Sequence, residues 1–315
     1  MSTTPERVAV VGAGMMGVGI AQIFALAGHD VTVQDLYPEA LERAPGAVRA
    51  NLTFLAENGL GSADQVEPAV ARVTTMSDLR EAAAGADVVV ECVFEDLALK
   101  QGVFEQLDDV CPPETILCTN TSVMSITEIA AKATRKERIV GTHFWNPPYL
   151  IPLVEVVRTA DVADEVVTKT MELLRRVGKH PIDCKKDVPG FVANRLQHAL
   201  WREAISIVEH GIADAATVDE SIRFGPGLRL PILGPMENAD MVGLDLILSI
   251  HDYIFPHLEA SSEPSPILRE RAEAGELGFK TGRGFQEWTP ETAEASRKRL
   301  VAYLVHVLSD PDRVE

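Results

Sequence analysis

At 315 residues, with 46% hydrophobic and 24% charged side chains, the chain has the composition of a folded globular protein large enough for two domains, not of a disordered or fibrous one. A formal net charge of −18 counts strongly against nucleic acid as a partner, which demands clustered Lys and Arg, and disfavours an anionic membrane surface. No apolar run reaches the roughly 20 residues of a membrane-spanning helix. The opening residues Met1 to Glu6 carry neither the basic region nor the apolar stretch of a secretory signal, so a cytoplasmic protein is expected. Cys92, Cys111, Cys118 and Cys184 show no CxxC pair or metal-like grouping and read as free thiols, with no metal site expected.

Short β-branched runs predict strands at 7–12, 30–34, 73–75, 87–91, 115–119, 139–143, 153–157 and 179–183. Between most of them lie stretches with 3.6-residue periodicity, among them 15–27, 97–110 and 164–177. Strand–helix alternation predicts an α/β, doubly wound parallel sheet covered on both faces. The nearly continuous apolar run Val88-Val89-Val90 suits a strand buried on both sides. After Pro189-Gly190 the pattern changes to helical runs only, at 194–210, 216–223 and 236–251, with one more amphipathic helix at 291–308. The expected organisation is a Rossmann-type α/β domain over 1–187, followed by a smaller all-α domain over 188–315.

Gly12-Ala13-Gly14-Met15-Met16-Gly17 follows the first predicted strand and opens the first helix. In a GxGxxG so placed, the first glycine makes the tight turn and the second admits a pyrophosphate. The third lets helix and sheet pack closely, and the helix N-terminus attracts the phosphate charge. The fingerprint alone is weak, but Asp35 ends the second strand roughly 20 residues on, where a ribose-binding carboxylate belongs. Its charge repels a 2′-phosphate, so NAD is expected over NADP.

The most chemically loaded stretch runs from His143 to Glu155 through Trp145-Asn146-Pro147-Pro148-Tyr149. It offers an imidazole, a carboxamide and a carboxylate around a stiff, proline-rich loop. A nicotinamide-dependent alcohol dehydrogenase needs a base for the hydroxyl proton, a carboxylate to orient that base, and a polar group near the cofactor.

With these motifs stand Glu91-Cys92-Val93-Phe94-Glu95-Asp96, Thr119-Asn120-Thr121-Ser122, Lys186-Asp187-Val188-Pro189-Gly190-Phe191-Val192-Ala193-Asn194-Arg195 and Gly278-Phe279-Lys280-Thr281-Gly282-Arg283-Gly284-Phe285. From Val8 to about Trp288 the chain resembles the 3-hydroxyacyl-CoA dehydrogenases and their relatives acting on CoA-free substrates such as L-gulonate and carnitine. The resemblance implies hydride transfer between NAD and an L-3-hydroxy acid or acyl compound, giving its 3-oxo form. It implies His143 as base, Glu155 as its orienting carboxylate, Ser122 as a hydrogen-bond donor to the reacting oxygen, and Asn194 as an orienter of substrate. Gly12, Gly14, Met15, Met16, Gly17, Asp35, Glu95, Lys100, Asn120, Ser122 and Asn146 fall at positions that contact the cofactor. It also implies a homodimer built through the helical domain.

Simpler roles stand beside these: Ser122 as a cap for the helix after it, Asn194 as a cap after Pro189-Gly190, and Glu95 with Lys100 as a solvated ion pair. The chain also departs from the CoA-using pattern. Residues 36–72 contain no lysine and only Arg43, Arg49 and Arg72 as cations, with Asn51 and Asn58 where Ser and Lys are expected. Val123 replaces the second serine of Asn-Thr-Ser-Ser, and Pro148 to Pro152 looks more like the CoA-free relatives, as does the tail after Trp288. A CoA-free hydroxy acid is therefore expected. The alternatives are a true 3-hydroxyacyl-CoA dehydrogenase, an NAD-binding structural protein like the lens crystallin of the family, and an aldehyde-oxidising or imine-reducing enzyme on the same scaffold. A thiohemiacetal route would have Cys118 as its one candidate nucleophile.

Overall fold

The computed structural model describes residues 5–310. Eight strands form one sheet in the order β3-β2-β1-β4-β5-β6-β7-β8. They are β1 (Arg7–Val11), β2 (Asp30–Gln34), β3 (Val73–Met76), β4 (Val88–Glu91), β5 (Ile116–Thr119), β6 (Ile139–Phe144), β7 (Leu153–Val157) and β8 (His180–Cys184). All eight lie where the β-branched runs predict them. The central ones are apolar on both faces because both faces are covered: Val8, Ala9, Val10 and Val11 are each at most 2% exposed.

Between the strands come α1 (Met15–Leu26), α2 (Pro38–Glu57), α3 (Val66–Ala71), α4 (Leu79–Ala83), α5 (Leu97–Val110), α6 (Ile126–Ile129) and α7 (Asp164–Arg176). One core joins α1, α2, α3 and α7 to one face of the sheet, and the other joins α5 and α6 to the opposite face. The chain winds outward through β2 and β3, then returns past β1 to β4. The crevice beyond the carboxyl ends of β1 and β4 is thus the topological switch point at which such sheets bind ligands.

The expectation of a parallel sheet needs one correction. β1 to β6 are parallel, but β7 pairs antiparallel with β6, and β8 follows β7 in parallel. A parallel return requires a crossover of a dozen or more residues. The short connection from Phe144 to Leu153 permits only a hairpin, whereas α7 supplies a crossover between β7 and β8.

Backbone contacts divide the chain into Met1–Asn194 with Val301 onward, and Arg195–Leu300. The division falls seven residues beyond the expected boundary at 187/188, and the end of the last helix belongs to the first unit, not to the helical one. Val301, Leu304 and Leu308 pack on the core that holds α1 and α2.

The second unit is helical, as expected, and its helices are α8 (Ala193–Glu209, which begins in the first unit), α9 (Ala215–Phe224), α10 (Pro235–Val242), α11 (Leu244–Ile254), α12 (Pro266–Glu273) and α13 (Pro290–Leu308, which ends in the first). The single helix predicted over 236–251 is two. Gly243 takes φ 100°, a left-handed conformation that ends α10 and starts α11.

Candidate active site

The glycine turn stands at the switch point. Gly12 follows β1 with φ 107°, and a Cβ there would lie 2.7 Å from the Cys92 carbonyl oxygen beyond β4. At Gly17 a Cβ would lie 1.8 Å from the Gly12 carbonyl oxygen, so only glycine lets α1 start this close to the turn. Gly14, the N-cap of α1, is the opposite case: a Cβ would meet no protein atom within 4 Å. Open space at the N-terminus of α1, bounded by tightly packed glycines, fits a pyrophosphate. Met15 is 66% exposed beside it and Met16 is half-buried. Asp35 accepts the Ala13 amide at 2.7 Å and the Tyr37 amide at 3.0 Å, which fixes its carboxylate over the turn. These residues fit NAD as the sequence implies.

Glu91, Glu95 and Lys100 form a second layer. Lys100, 1% exposed, donates to Glu91 Oε1 at 2.7 Å and pairs with Glu95 Oε2 at 3.3 Å. Glu91 is fully buried and also accepts the Val93 amide and the Thr119 hydroxyl. Glu95 accepts the Thr121 hydroxyl and the Ser122 amide. Burial pushes the Glu95 carboxyl up, but the Thr121 hydroxyl, Lys100 and the Ser122 amide together hold it below the usual carboxylate range. The pair is therefore buried at its Lys100 end, while Glu95 stays exposed. Lys100 is spent on two carboxylates, and Glu95 braces the loop that carries Ser122.

Neither capping role holds. Ser125, not Ser122, caps α6, accepting from the Glu128 amide, which leaves Ser122 exposed. Asn194 donates its carboxamide to the Ser122 carbonyl oxygen at 2.9 Å and is 7% exposed, so it anchors the Ser122 loop. Asn120 accepts the Phe144 amide at 2.9 Å, joining the end of β5 to the end of β6. Asn146 is exposed on the β6–β7 loop.

His143 and Glu155 are direct cross-strand partners in the β6–β7 ladder. His143 Nδ1 lies 2.8 Å from Glu155 Oε2, with His143 5% and Glu155 0% exposed. Glu155 Oε1 accepts the Val192 and Ala193 amides, each at 2.9 Å, and Trp145 Nε1 donates to Oε2 at 3.3 Å. Phe191, at φ 50° and 2% exposed, makes the turn that presents those two amides. Burial alone would raise the Glu155 carboxyl, but the His143 bond and the Ala193 and Val192 amides outweigh it and hold it below the usual carboxylate range. An anionic Glu155 makes Nδ1 the protonated nitrogen of a neutral His143, leaving the lone pair on Nε2. Sequence reasoning found the pair but missed Trp145 and the two amides. Backbone donors carry no side-chain signal, while the indole had one, two residues from His143 on the same face of an extended chain.

Cys118 lies in β5 at 3% exposure, and burial pushes its thiol up to about 12, which removes the thiolate a thiohemiacetal route requires. All four cysteines are free, and no group of three His, Cys, Asp or Glu side chains poised for a metal occurs among the described residues. No helix among them is long and apolar enough to cross a membrane.

Comparison with known proteins agrees with this arrangement. The family model of the 3-hydroxyacyl-CoA dehydrogenase NAD binding domain matches residues 7–188, and that of the 3-hydroxyacyl-CoA dehydrogenase C-terminal domain matches 190–288. The chain is 35% identical over 302 residues, 96% of its length and 97% of the other, to a 5-formyl-3-hydroxy-2-methylpyridine 4-carboxylate 5-dehydrogenase of Mesorhizobium japonicum. It is 38% identical over 293 residues to the 3-hydroxyadipyl-CoA dehydrogenase of Escherichia coli, covering 92% of this chain and 61% of that one. Among solved structures, a 5-formyl-3-hydroxy-2-methylpyridine 4-carboxylic acid 5-dehydrogenase, described as an NAD+-dependent dismutase, superposes with a TM-score of 0.89 at 34% identity over 96% of this chain and 97% of that one. Glycine turn, buried His143–Glu155 contact and matched domains lead to one conclusion: the chain belongs to the 3-hydroxyacyl-CoA dehydrogenase family and is an NAD-dependent oxidoreductase.

Proposed function

We propose that this enzyme interconverts an L-3-hydroxy acid that carries no CoA and its 3-oxo form, with His143 as the base. The observation that carries the reading is the 2.8 Å contact between His143 Nδ1 and the fully buried Glu155, which frees Nε2 for a substrate hydroxyl. His143 Nε2 removes the hydroxyl proton, and Glu155 stabilises the imidazolium that results. The exposed Ser122 hydroxyl donates to the reacting oxygen, and Asn194 holds the Ser122 loop in place. NAD, held by the Gly12–Gly17 turn and Asp35, supplies the hydride acceptor when bound.

The choice of a CoA-free substrate rests on the α2–α3 region. Asn51 is committed to Gln22 at 2.8 Å and Asn58 to the Phe54 carbonyl oxygen at 2.8 Å. Arg49 is paired with Glu67 and Arg72 with Asp30. Phosphate binding needs cations free to engage it, and two of the three in this region are neutralised. A second reading, a 3-hydroxyacyl-CoA dehydrogenase proper, is favoured by relatives such as the 3-hydroxyadipyl-CoA dehydrogenase. An intact base and buried carboxylate argue against a purely structural, crystallin-like role. The enzyme acts as a homodimer in a reducing compartment: the free cysteines support the compartment, and exposed Trp201, Leu244, Leu248 and Tyr253 of the helical unit support the dimer.

The test is NADH formation with 3-hydroxybutyryl-CoA, L-gulonate, carnitine and free 3-hydroxybutyrate. Turnover of a free acid with little on the thioester supports the reading, and a strong thioester preference overturns the substrate. Full turnover by His143→Gln on the best substrate overturns the mechanism.

A further inference from the structure

The His143 imidazole is flanked by two aromatic rings. Trp145 lies with its ring centroid 5.3 Å away at an interplanar angle of 54°, and Phe191 5.8 Å away at 56°. Trp145 reaches this place because side chains two apart on an extended chain share a face. Phe144 between them turns the other way, into the core with α1. The indole also does what a phenyl ring cannot: its N–H donates to Glu155 Oε2, the oxygen that binds His143.

A carboxylate has about four lone-pair sites. In Glu155, Oε1 takes the Val192 and Ala193 amides with the Cys184 thiol 4.0 Å away, and Oε2 takes His143 Nδ1 and Trp145 Nε1. The indole is therefore one of the two donors on Oε2 of a fully buried anion. Without it, Oε2 keeps a vacant acceptor direction in a dry site, which favours rotation of the carboxylate or entry of water and loosens the line from Oε2 to Nδ1.

We propose that Trp145 is a positioning residue for proton transfer, locking Glu155 and His143 into one rigid unit through its indole N–H. This rests on the assignment of His143 and Glu155 as the acid–base pair. Trp145→Phe keeps a ring and deletes the donor. Loss of one neutral-donor hydrogen bond predicts a fall in kcat of about three- to ten-fold with KM for substrate and NAD unchanged.

The discriminating measurement is a double-mutant cycle with Glu155→Ala. Acting through Glu155, the indole N–H has nothing to hold once the carboxylate is gone, so Trp145→Phe changes kcat by less than about two-fold in that background. A purely structural Trp145 gives the same fold-loss in both backgrounds, and that result, or a wild-type kcat for Trp145→Phe alone, overturns the proposal. Thermal melts and NAD affinity confirm that each variant folds. A second readout needs no turnover: with ¹⁵N-histidine labelling, the Nδ1–H proton of His143 exchanges with water several-fold faster in Trp145→Phe than in wild type. Unchanged exchange overturns the proposal even if no substrate is turned over, whereas faster exchange in a protein inert towards every substrate counts against the assigned reaction alone.

Discussion

The Ala13 amide donates to Asp35 Oδ2 across 2.7 Å, tying the glycine turn to the residue that directly follows the second strand. One carboxylate thus shapes the turn, and as the expected reader of the ribose diol it can be tested directly. Replacing Asp35 with alanine removes charge-assisted acceptors each worth about 1.5–3 kcal/mol. NAD affinity should fall about 10- to 100-fold by fluorescence titration, with discrimination against NADP narrowing. Unaltered NAD binding would show that this carboxylate does not read the ribose.

Two of the motif glycines, Gly14 and Gly17, should separate in their effects. Gly14→Ala places a methyl in open space, so the fold and melting temperature stay as in wild type while NAD affinity drops by at least about ten-fold, because the pyrophosphate loses its approach. Gly17→Ala drives a methyl into the Gly12 carbonyl oxygen, so expression or melting temperature suffers first. Thermal denaturation beside NAD titration distinguishes the two, and equal melting temperatures would contradict the geometry.

Lys179 gives the stability of the protein an alkaline signature. Its ammonium donates to the Pro148 carbonyl oxygen, and to that of Ile151 at 3.1 Å, beneath the β6–β7 loop, and burial pushes it down to about 8 from an ordinary value near 10.5. Between those values the unfolded chain binds the proton that the folded chain has released, so stability gains with rising pH. Compared with Lys179→Met, the wild type should gain in relative melting temperature from pH 8 to pH 10 and show a constant offset from pH 6 to pH 7. A flat difference across the alkaline range would refute the buried-lysine account.

Leu248 in α11 is 63% exposed and Tyr253 79%, apolar surface of the kind that a second copy of the helical unit would cover. Sedimentation should give twice the chain mass, and Leu248→Arg should shift the protein towards monomer with a concentration-dependent loss of melting temperature. A monomeric wild type at micromolar concentration would dismiss the dimer.

The strands were legible because burial on both faces writes itself as an unbroken apolar run, as in Val88-Val89-Val90. Direction was not, since such a run reads alike both ways. Only the length of chain between Phe144 and Leu153 encodes the reversal of β7. Likewise the apolar period from Met236 to His251 continues across Gly243, so the break there lies in one backbone angle and not in hydrophobicity. His143 and Glu155 were readable as chemistry. Their pairing as cross-strand neighbours, the amides of Val192 and Ala193, and the burial of Lys100 between two acids depend on contacts that no spacing announces.

Because His143 and Glu155 face each other on one rung of the β6–β7 ladder, their spacing is set by strand pairing and not by the loop that joins them. Residues 147 to 151 can therefore be exchanged or lengthened without moving His143 from Glu155, provided the strands keep register. A scaffold of this kind lets the loop vary in sequence and length while the contact between His143 and Glu155 is inherited intact with the hairpin.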